Sequence, residues 1–155
     1  MKRYIKFLLA YAIAMVAGGA TAFSHGYTIG QLMIDHPYAF VMHAGEETGI
    51  GFLSIANSGA TDDRLISISS PSAQAIVLRD AQDQDAPQGL IVPAGGVLTL
   101  QPGGAHLLFR HALTPFKLGD RIPGTLHFEH AGDIKVEFKI SMPGLGGTAQ
   151  QDRAH

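Results

Sequence analysis

Histidine and methionine are the side chains of this sequence that could bind a soft metal ion. The chain contains eight histidines, five methionines and no cysteine, so a thiolate site is excluded. Imidazole accepts either oxidation state of copper, and thioether sulfur favours Cu(I). Met42 and His43 are adjacent, and His36 lies a few residues before them, so these three could form a soft site. The alternative is a solvated loop that binds no metal.

Two further histidines, His127 and His130, lie three residues apart in a segment that we predict to be a strand. Side chains alternate between the two faces of a strand, so residues at this spacing should point in opposite directions. The spacing therefore argues against one metal ion shared by both rings.

No motif in the sequence indicates an enzyme. There is no Gly-x-Ser-x-Gly turn, no His-Glu-x-x-His helix and no glycine-rich phosphate loop. A blue-copper electron-transfer site requires a cysteine, which is absent. Asp62 and Asp63 are adjacent, but acidic residues that flank a turn are usually solvated, so we do not predict a paired-carboxylate site.

The N-terminus has the pattern of a secretory signal peptide. A basic start is followed by an apolar run from Phe7 to Val16 and by an Ala-x-Ala site that ends at Ala22. The apolar run is shorter than the roughly 20 residues that span a bilayer. We predict cleavage after residue 22 and a mature chain with no stable membrane insertion. The signal peptide contains Lys2, Arg3 and Lys6, so the mature chain is acidic, which argues against a nucleic-acid partner.

The rest of the chain reads as short apolar segments separated by Gly, Pro, Asn and Asp, without a helical period. This pattern predicts an all-β antiparallel sandwich of Greek-key type rather than an α/β fold. We predict one domain over residues 23–141 and a flexible tail over 142–155. The predicted strands cover 27–34, with a break at Asp35-His36-Pro37, then 50–56, 64–69, 75–78, 90–92, 97–100, 106–109, 121–130 and 134–140.

Several segments, in order, resemble the periplasmic copper chaperone family PCu(A)C, and together they cover nearly all of residues 25–141. They are His25 to Ala39, Gly51 to Gly59, Asp63-Arg64-Leu65 with Ser69-Ser70-Pro71, Val92 to Gly96, Leu100 to Leu108, Leu118-Gly119-Asp120 and Phe128 to Gly132. The resemblance implies a cupredoxin-like sandwich in the periplasm. It also implies a carrier that takes copper, Cu(I) rather than Cu(II), towards a cytochrome oxidase copper-centre subunit or another periplasmic copper protein.

The family's copper ligands are two histidines and two methionines, and the resemblance implies that one of the four is retained. His106 keeps its position after the Pro-Gly-Gly turn. Arg79 stands at the position of the other histidine, and an arginine does not lose its proton to become a ligand. Leu108 stands where a methionine is expected, and the loop 81–89 contains no methionine. If Arg79 approaches His106, as the family geometry implies, then Asp80 could pair with the arginine.

Two hypotheses follow from this degraded motif. The first is a divergent periplasmic copper chaperone that uses His106 together with Met42, His43 or His36. The second is a metal-free interaction module that has kept the scaffold and lost the site. Both hypotheses give the same family and the same fold.

Overall fold

The computed structural model describes residues 26–144, which form ten β-strands. The predicted signal peptide, and the predicted tail from residue 145 onward, lie outside the described residues. The strands are β1 (Tyr27–Ile29), β2 (Leu32–Phe40), β3 (Gly49–Asn57), β4 (Asp63–Ser69), β5 (Ala73–Arg79), β6 (Leu90–Val92), β7 (Val97–Leu100), β8 (His106–Ala112), β9 (Arg121–Phe128) and β10 (Gly132–Ser141).

All ten strands join one sheet in the order β5-β8-β3-β2-β10-β9-β4-β6, with β1 paired to β2 and β7 paired to β3. Every pair is antiparallel except β2–β10, which is parallel. The sheet curls into a nearly closed, cupredoxin-like β-sandwich. The predicted all-β fold class is therefore confirmed.

Alternation along the strands places one set of side chains in a single core. In β9, for example, Ile122, Gly124, Leu126 and Phe128 are buried, while the residues that alternate with them are more exposed. Phe109 of β8 lies at the centre, with its ring 5.3 Å from the rings of both Phe116 and Phe138. These edge-to-face contacts join the two halves of the sandwich and leave the alternate residues of each strand for the outer face.

The predicted break at Asp35-His36-Pro37 is wrong. The first predicted strand is instead two strands separated by a turn at Gly30-Gln31, and β2 continues through His36 to Phe40. The register with β3 shifts between Asp35 and Tyr38, and His36 has a φ of 49°. A bulge of this kind leaves its extra residue unpaired, so a proline that cannot donate a hydrogen bond is accommodated there.

The predicted hairpin of β9 and β10 is confirmed, but its turn lies earlier than predicted. β9 ends at Phe128, so His130 belongs to the turn and not to the strand. His127 is in β9, directly opposite Asp133 of β10. The face argument applied to the two histidines therefore rested on a wrong strand end.

Candidate functional site

Arg79 and His106 lie directly opposite each other in the antiparallel β5–β8 pair. Their strand neighbours Leu78 and Leu107 are buried in the core, so Arg79 and His106 lie on the outer face of the sheet. Leu108 is two residues further along β8 and is therefore on the same face. The close approach of Arg79 to His106 that the resemblance implied is present.

The two ring nitrogens of His106 have different partners. Nδ1 lies 2.8 Å from the carbonyl oxygen of Gly104 and donates to it, since a carbonyl can only accept. Nε2 points away from this turn and lies 3.3 Å from Oδ1 of Asp83. Only 16% of the His106 side chain is exposed. The backbone of the turn thus fixes the ring and directs Nε2 towards the acidic loop.

Arg79 holds this acidic loop, residues 80–89, against the end of β5. Its guanidinium contacts the carboxylate and carbonyl of Asp83 and the carboxylate of Asp85, and a β-bridge joins Arg79 to Asp85. The hydrogen bonds that Arg79 donates to Asp85, and then those that it donates to Asp83, raise the pKa of Arg79 above its ordinary value. Arg79 therefore remains a cation and cannot act as a metal ligand.

The predicted partner of Arg79, Asp80, has a different role. Its Oδ1 accepts hydrogen bonds from the backbone N–H groups of Gln82 (2.9 Å) and Gln84 (3.0 Å). Asp80 therefore shapes the loop, and Arg79 pairs instead with Asp83 and Asp85. Sequence reasoning did not single out Asp83 or Asp85. The only signal for them was the acidic composition of the loop, which does not say which carboxylate turns back towards the strand.

The structure places the other predicted ligands apart from His106. Met42 is buried in the core, where its sulfur lies close to Gly49. His43 is exposed, and its backbone N–H donates to Glu46 at 2.8 Å. His36 is exposed at the bulge in β2. Over residues 26–144, no hydrogen bond or ion pair joins Met42, His43 or His36 to His106.

The donors that face each other at this site are one imidazole nitrogen and one carboxylate. Within residues 26–144, no group of three or more His, Cys, Asp or Glu side chains is placed to hold a metal ion. His106 and Asp83 could supply two ligands. Any further ligand would have to replace Arg79 or Leu108, or be supplied from outside the described residues.

An apolar hollow of about 210 Å³ lies beside His106 on the outer face, lined by Phe40, Ile50, Phe52, Pro102, Gly103 and His106. Phe52 forms its floor and is only 2% exposed, although it is not part of the main core. The rings of Tyr38 and Phe40 cover Phe52 at centroid distances of 5.1 and 5.0 Å. Tyr38 is itself partly buried, and this burial raises the pKa of its phenol above the ordinary value of 10.0.

Residues 32–140 match a family model described as "Putative lipoprotein LpqE-like". The chain belongs to this LpqE-like family. "Putative lipoprotein Lxx21020" of Leifsonia xyli subsp. xyli (strain CTCB07) is 29% identical over 109 residues, which are 66% of this chain and 66% of that protein. The matched segment thus spans about two thirds of each.

The LpqE-like chain also resembles solved PCuAC domains. It is similar to the "Copper-bound PCuAC domain from PmoF2" (TM-score 0.71, 25% identity) and to the "Apo PCuAC domain from PmoF1" (TM-score 0.72, 29% identity). Each match covers 77% of this chain and 100% of the other. The Cu(I) form of DR1885 from Deinococcus radiodurans shares the fold at a TM-score of 0.63 and 18% identity, over 81% of this chain and 86% of that one. The predicted resemblance is confirmed in that the solved structures similar to this chain are PCuAC domains.

The part of the chain that the structure describes contains no helix that is long and apolar enough to span a membrane.

Proposed function

We propose that this LpqE-like protein is an exported copper-binding protein of the cell envelope with a chaperone-like role. The observation that carries the proposal is the orientation of His106 on a PCuAC-type scaffold. Its Nδ1 is held by Gly104, and its Nε2 faces the carboxylate of Asp83 on the outer face. A ring nitrogen that is fixed by a backbone carbonyl is a common arrangement for a metal-binding histidine.

The proposed ligand set is a degraded form of the family's two histidines and two methionines. His106 supplies Nε2, and Asp83 supplies a carboxylate oxygen that lies 3.3 Å from it. Arg79 and Leu108 stand where the resemblance places a second histidine and a methionine. The resemblance favours Cu(I), whereas an imidazole with a carboxylate suits Cu(II), so both oxidation states need to be titrated.

The proposed location and partners rest on the predicted signal peptide and on the copper chaperone domains that the chain resembles. We propose export across the inner membrane to the periplasm and transfer of copper to another copper protein, such as the copper-centre subunit of a respiratory oxidase. A carrier must release its cargo, and a site with few ligands releases copper more readily than a complete one.

The test is copper binding by the purified exported protein, measured by competition with a chromophoric chelator for Cu(I) and for Cu(II). The H106A variant is measured in parallel, and H43A serves as a control because His43 is exposed and distant in sequence. One equivalent bound by the wild type and by H43A, but lost in H106A, supports the proposal. Equal binding by all three proteins contradicts it.

A metal-free interaction module is the second candidate, and the ion pairs of Arg79 favour it. Arg79 pairs with Asp83 and Asp85, and Arg110 lies 3.9 Å from Asp85, so two cations already face the two carboxylates and the site needs no metal for charge balance. The apolar hollow beside His106 would then be a contact surface. No copper bound by the wild type beyond background would favour this candidate.

A further inference from the structure

Ser69, His127 and Asp133 form a hydrogen-bonded chain on the outer face of the sheet. Ser69 Oγ lies 3.0 Å from His127 Nε2, and His127 Nδ1 lies 2.9 Å from Asp133 Oδ1. The three residues come from three adjacent strands, β4, β9 and β10. The copper proposal makes no use of them, and the sequence analysis did not bring the three together.

The strand register explains why these side chains meet. Asp133 is directly opposite His127 in the β9–β10 pair. In the β4–β9 pair, Ser67 is opposite His127 and Ser69 is opposite Thr125, so Ser69 reaches His127 along the diagonal. Leu126 and Phe128 are buried on either side of His127, so its ring must point outwards. The arrangement thus follows from strand alternation and pairing together with the register shift between Leu65 and Ser67 of β4.

The partners of His127 also determine which of its ring nitrogens carries the proton. A carboxylate can only accept, so Nδ1 of His127 donates its proton to Asp133. In the neutral ring, Nε2 then carries a lone pair and accepts the hydroxyl proton of Ser69. This is the tautomer and the order of atoms in which serine acts as a nucleophile, histidine as its general base and aspartate as the group that orients the histidine.

A second row of polar side chains lies beside this chain. Thr125 is opposite Ser69 in β4, and Lys135 is opposite Thr125 in β10, so one row across the sheet reads Ser69, Thr125, Lys135. Thr125 shares the outer face with His127 because the two are two residues apart in β9. A hydroxyl and an ammonium group therefore lie in the same row as Ser69, and both are donor groups of the kind that stabilise the oxygen of an attacked carbonyl.

We propose that Ser69, His127 and Asp133 form an acyl-transfer site that takes carboxylic esters with a good leaving group. Ser69 Oγ forms a bond to the carbonyl carbon while its proton passes to His127 Nε2. The carbon–oxygen bond to the leaving alcohol then breaks, and the alcohol takes the proton from His127. Water, deprotonated by His127, attacks the acyl-serine and releases the carboxylic acid, and the proton returns to Ser69.

The site is open to ester substrates. Ser69 is exposed, and the side chains of His127 and Asp133 are 31% and 63% exposed. Water reaches the hydrogen bonds and weakens their electrostatic effect, so we expect slow turnover and a measurable acyl-serine rather than rapid hydrolysis. Ser69 and His127 are the catalytic residues of this proposal, and Asp133 is a positioning residue.

The test uses p-nitrophenyl acetate and a fluorophosphonate probe with the purified exported protein. A chelator is present throughout, so that hydrolysis by bound metal does not contribute. We expect release of p-nitrophenolate and mass spectrometry that places the acetyl and phosphonyl groups on Ser69. S69A should lose both labels. H127Q should lower the acylation rate about a hundredfold, the low end of what a positioned general base contributes.

S67A is the matched control, because Ser67 is opposite His127 but forms no hydrogen bond with it in the structure. It should react like the wild type. D133N should slow acylation at least about tenfold, because an amide can donate to Nδ1 as well as accept from it and no longer sets the tautomer, and D133E should recover part of the rate. Circular dichroism and thermal unfolding show that each variant is folded.

Labels on residues other than Ser69 would overturn the proposal, as would an acylation rate that is the same in H127Q and the wild type. A rate that falls equally in D133N and D133E would mean that Asp133 has only a structural role. The three residues would then not act as a catalytic triad. None of these outcomes bears on copper binding at His106, which is on β8.

Discussion

Asp83 links Arg79 to His106: its Oδ1 lies 3.0 Å from Nη2 of Arg79 and 3.3 Å from Nε2 of His106. Arg79 and His106 are directly opposite in the β5–β8 pair, so the carboxylate lies over the gap between them. In effect, the guanidinium provides the positive charge that a metal ion would provide in a complete site. Replacing Arg79 with a ligand is therefore expected to turn an ion-pair cluster into a metal site.

The double substitution R79H/L108M should raise Cu(I) affinity by more than about tenfold, which corresponds to about 1.4 kcal/mol. The new imidazole would stand opposite His106, and the new thioether would lie two residues from it on the same face. Three ligands that suit Cu(I) would then share one surface. Competition with a Cu(I)-specific chelator measures the change.

Two further variants control this experiment. Adding H106A to the double variant should cancel the gain, and L108M alone should produce little of it because Arg79 remains. An affinity of the double variant equal to that of the wild type would mean that the loop 80–89, and not only the ligand types, prevents copper from binding.

Asp63 is a buried carboxylate that holds the β9–β10 turn onto the start of β4. Its Oδ1 accepts hydrogen bonds from the backbone N–H groups of Arg64 (2.7 Å) and His130 (3.0 Å), and its Oδ2 accepts one from Ala131 (2.9 Å). It is 7% exposed, so the prediction that Asp62 and Asp63 are both solvated is wrong for Asp63.

D63A should lower the free energy of unfolding by about 3 kcal/mol, because the partly buried N–H groups of Arg64, His130 and Ala131 would lose their acceptor. Asp62 is the matched control. It is exposed and accepts one hydrogen bond, from the N–H of Ala94, so D62A should cost about 0.5 kcal/mol or less. Urea denaturation measures both. Equal effects in the two variants would contradict the structural role of Asp63.

Most of the strands could be predicted because turn residues mark their ends and apolar residues alternate within them. The failures have local causes. Pro37 reads as the end of a strand, but a bulge accommodates it. His130 reads as part of β9, but the carboxylate of Asp63, 67 residues away, holds it in the turn. A distant acceptor of this kind leaves no mark in the local sequence.

The candidate site was predictable only where it depends on strand pairing. The contact of Arg79 with His106 follows from two strands that the resemblance aligns. Asp83 and Asp85 lie in a loop whose path is set by backbone hydrogen bonds, so their pairing with Arg79 was not visible. Ser69 and His127 are 58 residues apart and meet because of a register shift in β4, which no periodicity reveals.

Gly89 ends the acidic loop in a conformation that only glycine adopts without strain. Its φ is +85°, and a Cβ at this position would lie 2.3 Å from the carbonyl oxygen of Leu65. Since backbone cannot move aside as a flexible side chain can, G89A should lower the free energy of unfolding by about 3 kcal/mol or more. Thermal or urea denaturation measures the loss.

Gly95 is the control for Gly89. It also has a positive φ, +66°, but a Cβ there would meet nothing within 4 Å. G95A should therefore show only the cost of the backbone conformation, about 1–2 kcal/mol. If G89A and G95A had equal effects, the contact with Leu65 would contribute nothing, and the path of the loop against β4 would have to be revised.

Tyr38 packs with Phe40 and Phe52 on the outer face, and its ionisation reports on this packing. Burial raises the pKa of its phenol, so the folded protein holds the proton more tightly than the unfolded chain, whose tyrosines ionise near pH 10. The contribution of Tyr38 to stability is therefore complete below about pH 10 and is lost as the pH rises above it. Absorbance of tyrosinate in the folded protein should show one transition above pH 10 that disappears in Y38F.

F40A removes a ring whose centroid lies 6.0 Å from that of Tyr38. The substitution should expose the phenol and move this transition back towards 10. A transition in F40A as high as in the wild type would show that Phe40 does not shield Tyr38, and that other neighbours such as Phe52 account for its burial.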